Sequence, residues 1–577
     1  MDEKTYSEHK ELLRWLSAPQ VADDLKDELL AVSDNDAAIK ERFGKAMQFG
    51  TAGLRSKMGA GISRMNVLTV AQTTQALSKL IIDAGGAERG CVIAYDSRND
   101  SVLFSKTAAG VLAANGVKTY FFDALRPTPE LSFAILHLNA IAGINITASH
   151  NTKEYNGYKV YWEDGAQLSP DHARTISDES ARTDVLTGAK HMPFDSAVSK
   201  GLIKILGRSV DDAFAAAVLS SRICPELTEQ YGDMLNIVYT PLHGSGCRLV
   251  PEVLRLAGAT NLRIVPEQAE PDGNFPTVVS PNPENANALS MAVAMASGAK
   301  QKCMLVLGTD PDSDRIGAAV REDDGTYTVL SGNQMGALLL DYIIKGRRLH
   351  GALPENACAI RSVVSSDLFS RIAESNGVSA VEVLTGFKYI GEKIKEYEQT
   401  NEHTFILGYE ESHGYLAGTY ARDKDAVEGC MLLTECAAYH LSHGRTLTQA
   451  LKAIYEEYGY YLEETLTFSM TPEDAAALME KLRFDAPHSL GSSKVKLLCD
   501  YSICKRTELP SGVTSATGLP QTNMLGFETD GGCRLIFRPS GTEPKIKAYV
   551  LVCGKTQDEA QEELENFENA AKKLLQG

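Results

Sequence analysis

Several features are missing from this chain. No stretch approaches the roughly 20 consecutive apolar residues that span a bilayer, which excludes a transmembrane helix. The opening MDEKTYSEHKELLRW lacks a basic segment followed by a long apolar core, and so speaks against a secretory signal. Eleven cysteines, an odd number with no Cys-x-x-Cys pair among them, suit reduced buried thiols better than a disulfide framework or a zinc site. Positive charge is in short supply too: the net charge of −18 excludes broad binding to nucleic acid or anionic membranes, both of which need a basic footprint. Low-complexity tracts are absent. The expectation is a cytoplasmic protein, monomer or homodimer, acting on small molecules. An anionic ligand would need a local basic pocket.

What is present is ample core material. With 577 residues, 44% hydrophobic and 23% charged, the chain exceeds what one hydrophobic core organises, so three or four domains are expected. Residues 1–45 read as an N-terminal helical extension, with Leu12, Trp15 and Leu16 at i, i+3, i+4 spacing. From there, short apolar runs end in Gly, Asp or Ser loops followed by helical segments. CVIAYDSR (91–98), YFFDALRPTPEL (120–131) and AIAGINI (140–146) belong to a block at 46–205; LNIVYTPLHGSG (235–246) and CMLVLGTDPDSDR (303–315) to one at 206–322. ACAIRSVVSS (357–366), SAVEVLTGFK (379–388) and TFILGYEESHGY (404–415) form a third at 323–458. Strand, loop and helix repeated in this way predict an α/β fold of three similar domains with mixed, mostly parallel sheets. The last block, 459–577, has strands at 464–470, 523–529, 533–539 and 545–552 with little room for crossovers between the later ones. It predicts a C-terminal α+β domain with an antiparallel sheet. Its closing helix, 557–575, carries Ala560, Leu564, Phe567, Ala571 and Leu574 on one stripe.

Four loops carry candidate chemistry. In DPDSDR, side chains alternating along an extended loop would bring Asp310, Asp312 and Asp314 together, and three convergent carboxylates repel unless a cation sits among them. Magnesium fits such an oxygen site. An EF-hand does not, because Arg315 and Arg321 stand where its glycine and glutamate belong. In RPSGTEPK, Arg538, Ser540, Gly541, Thr542 and Lys545 combine a guanidinium fork, two hydroxyls, an ammonium and a permissive glycine, the makings of a phosphate cradle. A Walker motif is missing, since Tyr549 stands where GKT (554–556) needs its first glycine, and GAGISR (59–64) does not complete a dinucleotide fingerprint. In GYEESHGY, Glu410 and Ser412 are spaced to read adjacent sugar hydroxyls, flanked by the cations of TGFK (Thr385, Gly386, Lys388) and RDKDA (Lys424). The fourth loop, TASHNTKEYNGYK, follows a buried-looking strand and offers Ser149 as a nucleophile with His150 adjacent and Lys159 nearby. It is not the Gly-x-Ser-x-Gly elbow of a serine hydrolase. Phosphoryl transfer suits it better, its developing charge met by a metal and by Arg55 and Arg315.

Taken in order, FGTAGLR, TASHNTKEYNGYKVY, PLHGSG, PDGNFPTVVSPNPE, DPDSDR, LTGFK, GYEESHGY, RDKDA and RPSGTEPK resemble the motifs of the α-D-phosphohexomutases, most closely the phosphoglucomutase branch that also contains phosphopentomutases. The resemblance covers nearly the whole chain after the N-terminal helices. It implies three α/β domains and a different C-terminal one around a central cleft. It further implies a phosphoserine at Ser149, Mg2+ held by Ser149, Asp310, Asp312 and Asp314, and a reacting phosphoryl group lined by Arg55, His150, Lys159 and Arg315. Glu410 and Ser412 would contact the sugar, and the 538–545 loop the distal phosphate. The implied activity interconverts glucose 1-phosphate and glucose 6-phosphate through glucose 1,6-bisphosphate, which is also the activator. Alternatives are a phosphopentomutase or phosphomannomutase with the same mechanism, or, from another class, a serine-dependent sugar phosphatase. Two departures stand out. Thr152 replaces a proline usual after Ser-His-Asn and frees a backbone N–H. Gly414 stands where some phosphomannomutase-like members have a histidine, which leaves Lys159 as the better candidate base.

Overall fold

The computed structural model describes residues 3–50, 53–540 and 544–576. The chain forms two compact units, one of residues 1–330, 391–399 and 414–443, the other of residues 331–390, 400–413 and 444–577.

In the first unit the predicted N-terminal extension is three helices, Glu3–Ser17, Asp23–Leu30 and Asp36–Phe43. Leu12 and Trp15 are buried with Leu29, Ile39, Phe43, Val185 and Leu186, so the extension shares a core with the domain that follows. That domain is built on a six-stranded mixed sheet in the order Leu54–Lys57, Tyr155–Trp162, Ala142–Ile146, Cys91–Tyr95, Thr119–Phe122, Ile203–Leu206. The first two pairings are antiparallel and the other three parallel. Cys91–Tyr95 and Ala142–Ile146 are buried along their whole length, as their predominantly apolar character demands of central strands, with Asn145 the one polar side chain of the second. A second, five-stranded mixed sheet runs Tyr327–Val329, Ile316–Arg321, Leu305–Thr309, Ile237–Thr240, Leu262–Ile264. Its strands Leu305–Thr309 and Ile316–Arg321 are an antiparallel pair, and the connection between them is the DPDSDR loop.

In the second unit, Ser379–Val383, Ala357–Ser362 and Thr404–Glu410 pair in parallel. The C-terminal sheet is antiparallel throughout, in the order Tyr460–Ser469, Lys545–Gly554, Arg534–Pro539, Leu525–Thr529, Ser493–Asp500, Lys505–Glu508, Thr514–Ala516. Helix Gln557–Gln576 covers it through Ala560, Phe567 and Ala571, all buried, as the stripe predicts. Sequence reading missed the three strands at 493–516, which are short or polar enough to look like loops. The eleven thiols are buried or half-buried. Among the described residues no helix is long and apolar enough to cross a membrane.

Candidate functional site

Ser149 lies three residues beyond the strand Ala142–Ile146 and is 3% exposed. Its φ of +51° is left-handed, a conformation that costs a non-glycine residue on the order of 1 kcal/mol. Local bonds hold it there: Ser149 N donates to Thr147 Oγ1 at 2.8 Å, and Asn151 N to Ala148 O. Ser149 Oγ then donates to Asp310 Oδ2 at 2.8 Å and lies 3.1 Å from His150 Nδ1.

The three aspartates converge, though by a different route from the extended loop expected. The chain turns, with Ser313 N donating to Asp310 O and Ser313 itself at φ +52°. Asp310 Oδ1 accepts the N–H groups of Asp314 and Arg315, which leaves Oδ2 for the serine. Asp312 Oδ2 accepts from Lys159 Nζ at 2.8 Å and from Thr128 Oγ1 at 3.1 Å. Asp314 Oδ2 lies 3.2 Å from Lys424 Nζ and 3.6 Å from Lys159 Nζ. All three carboxylates are buried, with oxygens within 4.8 Å of one another. Two ammonium groups against three carboxylates leave one negative charge, and burial with repulsion from Asp312 and Asp314 pushes Asp310 well above the usual carboxylate range. Asp312 Oδ1 and Asp314 Oδ1 are buried without a hydrogen-bond partner. A hard divalent cation fits these observations: it would occupy the orphaned oxygens and remove the repulsion.

The neighbouring groups are sorted by charge. Burial, reinforced by Arg315 and Arg55, lowers the His150 pKa well below its ordinary value and keeps the ring neutral. For Lys159 burial opposes the charge, but Asp312 and Asp314 outweigh it and the pKa is raised. The structure therefore differs from the expectation that Lys159 loses its proton readily, because sequence spacing did not reveal the two carboxylates against it. Arg55 Nη1 bonds Asn151 Oδ1 at 3.1 Å, on the same loop as the serine. Arg315 reaches Glu284 of the SPNPE segment, with its Nε 3.9 Å from Asp314. The Lys424 ammonium joins the carboxylate group. Asp423 Oδ1 holds its Nζ at 3.0 Å, while Asp423 Oδ2 accepts from Tyr161 and Gln167. A methyl at Gly414 would collide with the Lys424 stem, so the glycine in place of histidine makes room for this lysine.

In the second unit Glu410 is buried and accepts the N–H of Gly386 at 2.6 Å, bringing GYEESHGY and TGFK together. Gly386 has φ +123°, open to glycine and strained for other residues. Lys388 Nζ lies 4.7 Å from the Tyr389 ring centre; Thr385 and Ser412 are half-buried beside them in sequence. Arg538 and Lys545 stand at the facing ends of the strands Arg534–Pro539 and Lys545–Gly554, and Ser540 N donates to Lys545 O at 2.9 Å. Gly541 and Thr542 lie outside the described residues. Sequence reading missed Arg98, Thr128, Glu284 and Asp423. All four lay inside stretches already singled out, Arg98 in YDSR, Thr128 in YFFDALRPTPEL, Glu284 in PDGNFPTVVSPNPE and Asp423 in RDKDA, but nothing in their spacing assigned them a partner.

Repeated α/β sheets, an antiparallel C-terminal sheet, and a buried serine facing three carboxylates and two lysines define a phosphohexomutase, an intramolecular phosphotransferase. The chain belongs to the phosphoglucomutase/phosphomannomutase family, whose α/β/α domains I, II and III match residues 46–186, 212–325 and 331–458. It is 37% identical over 537 residues to a phosphoglucomutase of Staphylococcus aureus (strain USA300), covering 91% of this chain and 93% of that one. Against a phosphoglucomutase of Staphylococcus haemolyticus it is 34% identical, covering 94% and 97%. The fold is also that of a solved putative phosphomannomutase from Thermus thermophilus, at 20% identity and TM-score 0.68, covering 92% of this chain and 100% of that one.

Proposed function

We propose that this protein interconverts glucose 1-phosphate and glucose 6-phosphate, with Ser149 carrying the phosphoryl group and glucose 1,6-bisphosphate as intermediate and activator. The observation that carries the reading is Ser149 Oγ, 2.8 Å from Asp310 Oδ2 in a buried group with two further carboxylates. Asp310, Asp312, Asp314 and the Ser149 oxygen would hold the cation, which we take to be Mg2+. Bound there, it would supply positive charge to the phosphoryl oxygens.

The chain's own groups divide the remaining work. Phosphoserine 149 gives its phosphoryl group to the free hydroxyl of the sugar phosphate: the Ser149 O–P bond breaks, a new O–P bond forms on the sugar oxygen, and the proton that the sugar hydroxyl loses is balanced by the one that the Ser149 oxygen takes up. Arg55, Arg315 and Lys159 offset the charge on the transferred group. Neutral His150 accepts at Nδ1 the hydrogen bond of the released serine hydroxyl. Glu410 and Ser412, with Thr385, Gly386 and Lys388, read the sugar. Arg538, Ser540, Gly541, Thr542 and Lys545 hold the phosphate that is not reacting. Lys424 supports Asp314 and faces the same reacting group. After reorientation the bisphosphate returns its other phosphoryl group to Ser149.

A coupled assay of glucose, mannose and ribose 1-phosphates, with Mg2+ and a trace of bisphosphate, tests the reading. Glucose 1-phosphate should give the highest kcat/KM. Preference for mannose or ribose would move the assignment to a phosphomannomutase or phosphopentomutase, and net release of inorganic phosphate without isomerisation would make the protein a phosphatase. Ser149→Ala should lose at least about 10⁴-fold in kcat with an unchanged Tm, since the covalent route is then closed.

A further inference from the structure

The most heavily bonded side chain around the serine loop is one the proposed mechanism does not use. Arg98 is 3% exposed and donates to four backbone carbonyls of a single short segment. Nη2 bonds the carbonyls of Ser149 and Asn151; Nη1 bonds Thr152 O at 2.9 Å and Tyr155 O at 3.0 Å. Asp96 fixes the arginine in turn, its Oδ1 accepting Arg98 N at 2.9 Å and its Oδ2 lying 3.3 Å from Arg98 Nε. The Phe275 ring covers the guanidinium at 5.1 Å.

The sheet explains why these two loops meet. Tyr95 pairs with Ile146 in the parallel register, and Arg98 and Ser149 each stand three residues beyond that pair. Both leave the same sheet edge side by side.

Fixing these carbonyls has a consequence on the other side of the peptide planes. In a trans peptide the N–H points away from the C=O, so tying down the carbonyls of Ser149 and Asn151 turns the N–H groups of His150 and Thr152 away from Arg98. Thr152 has that N–H only because it is not proline. The same bonds hold Ser149 at φ +51°, the conformation in which its Oγ reaches Asp310. A buried guanidinium with both terminal nitrogens spent on loop carbonyls, behind a strained nucleophile, sets geometry.

We propose that Arg98 is a positioning residue for the phosphoryl transfer: its guanidinium holds the Ser149 loop in the conformation that places Oγ on the carboxylate group and turns the His150 and Thr152 amides outward. This rests on the mutase reading. Arg98 itself touches neither substrate nor the reacting atoms.

Arg98→Gln and Arg98→Lys, measured beside the wild type, test it. For Arg98→Gln the expected result is a fall in kcat of about a hundredfold with KM within about threefold, because a displaced nucleophile slows the chemical step more than it weakens binding. Phosphorylation of Ser149 by glucose 1,6-bisphosphate, followed by intact mass, should slow by a similar factor. Arg98→Lys keeps the charge but not the fork and should lose about tenfold. Should Arg98→Gln fail to fold, Arg98→Lys and Asp96→Asn carry the test with the same split between kcat and KM. The proposal is overturned if folded variants keep kcat within about twofold, or if kcat falls only in proportion to the folded fraction. A wild-type protein that neither turns over sugar phosphates nor accepts a phosphoryl group at Ser149 would instead sink the mutase reading.

Discussion

At the scale of single residues, burial decides which charges the protein tolerates. Glu428, in the first turn of the helix Ala426–Ser442, is 1% exposed and accepts Ala417 N at 2.7 Å. Burial first, and then Asp425, push its pKa up to about 7 from 4.5. The folded protein therefore holds a proton that the unfolded chain releases above about pH 4.5. Stability from this group is whole below that pH, declines as pH rises, and is gone above about pH 7, a loss of about 3 kcal/mol. Glu428→Gln removes the titration. Urea unfolding at pH 5 and pH 8 should show the variant gaining on the wild type by up to that amount at pH 8 and little at pH 5. A gap that widens toward pH 5 would contradict the assignment. The sequence could not have announced this residue, for a glutamate in a first helical turn reads as an ordinary dipole partner.

At the scale of elements, the second unit joins its α/β part to the C-terminal sheet through an ionic cluster. Arg534, at the start of the strand Arg534–Pro539, bonds both oxygens of Asp367 at 2.8 Å and lies 3.2 Å from Glu382. Arg361 shares both carboxylates, and the group lines a cavity of about 230 Å³. Arg534 is 13% exposed, so the pairing is only lightly screened. Arg534→Met should cost about 2–4 kcal/mol, measured as the shift in urea midpoint, since it takes from two half-buried carboxylates one of the two guanidinium groups they share. Further replacing Asp367 and Glu382 by Asn and Gln should recover part of that loss. The elements themselves were legible wherever one face is buried: the runs at 91–95, 142–146 and 305–309 read as strands because they are predominantly apolar, with Asn145 and Thr309 their only polar side chains. Lys505–Glu508 and Thr514–Ala516 were not, because paired strands lying largely in water need no apolar pattern. The aspartate triplet was legible as a cluster but not as a turn. Convergence follows from composition, whereas the left-handed Ser313 that produces it carries no local sign.

At the scale of the whole molecule, the order of motifs exposed the family, but chain packing was hidden: the block read as 323–458 contributes residues 323–330, 391–399 and 414–443 to the first unit and the rest to the second. Such long-range partition leaves no periodicity to read, and sequence spacing did not reveal that the Lys424 ammonium pairs with Asp314. The partition also permits a sharp test of the cation. Asp310, Asp312, Asp314, Lys159 and Lys424 all belong to the first unit, and so do both tryptophans of the chain, Trp15 and Trp162. A ligand that binds only the folded site stabilises it by about 2.7 kcal/mol at a hundred times its Kd. Tryptophan fluorescence should therefore report a melting transition that rises by a few degrees with millimolar Mg2+ and falls back with chelator. Asp312→Asn removes one of the three buried carboxylates and should flatten that response. A wild-type transition indifferent to Mg2+ would mean that the orphaned oxygens of the triplet do not hold a metal.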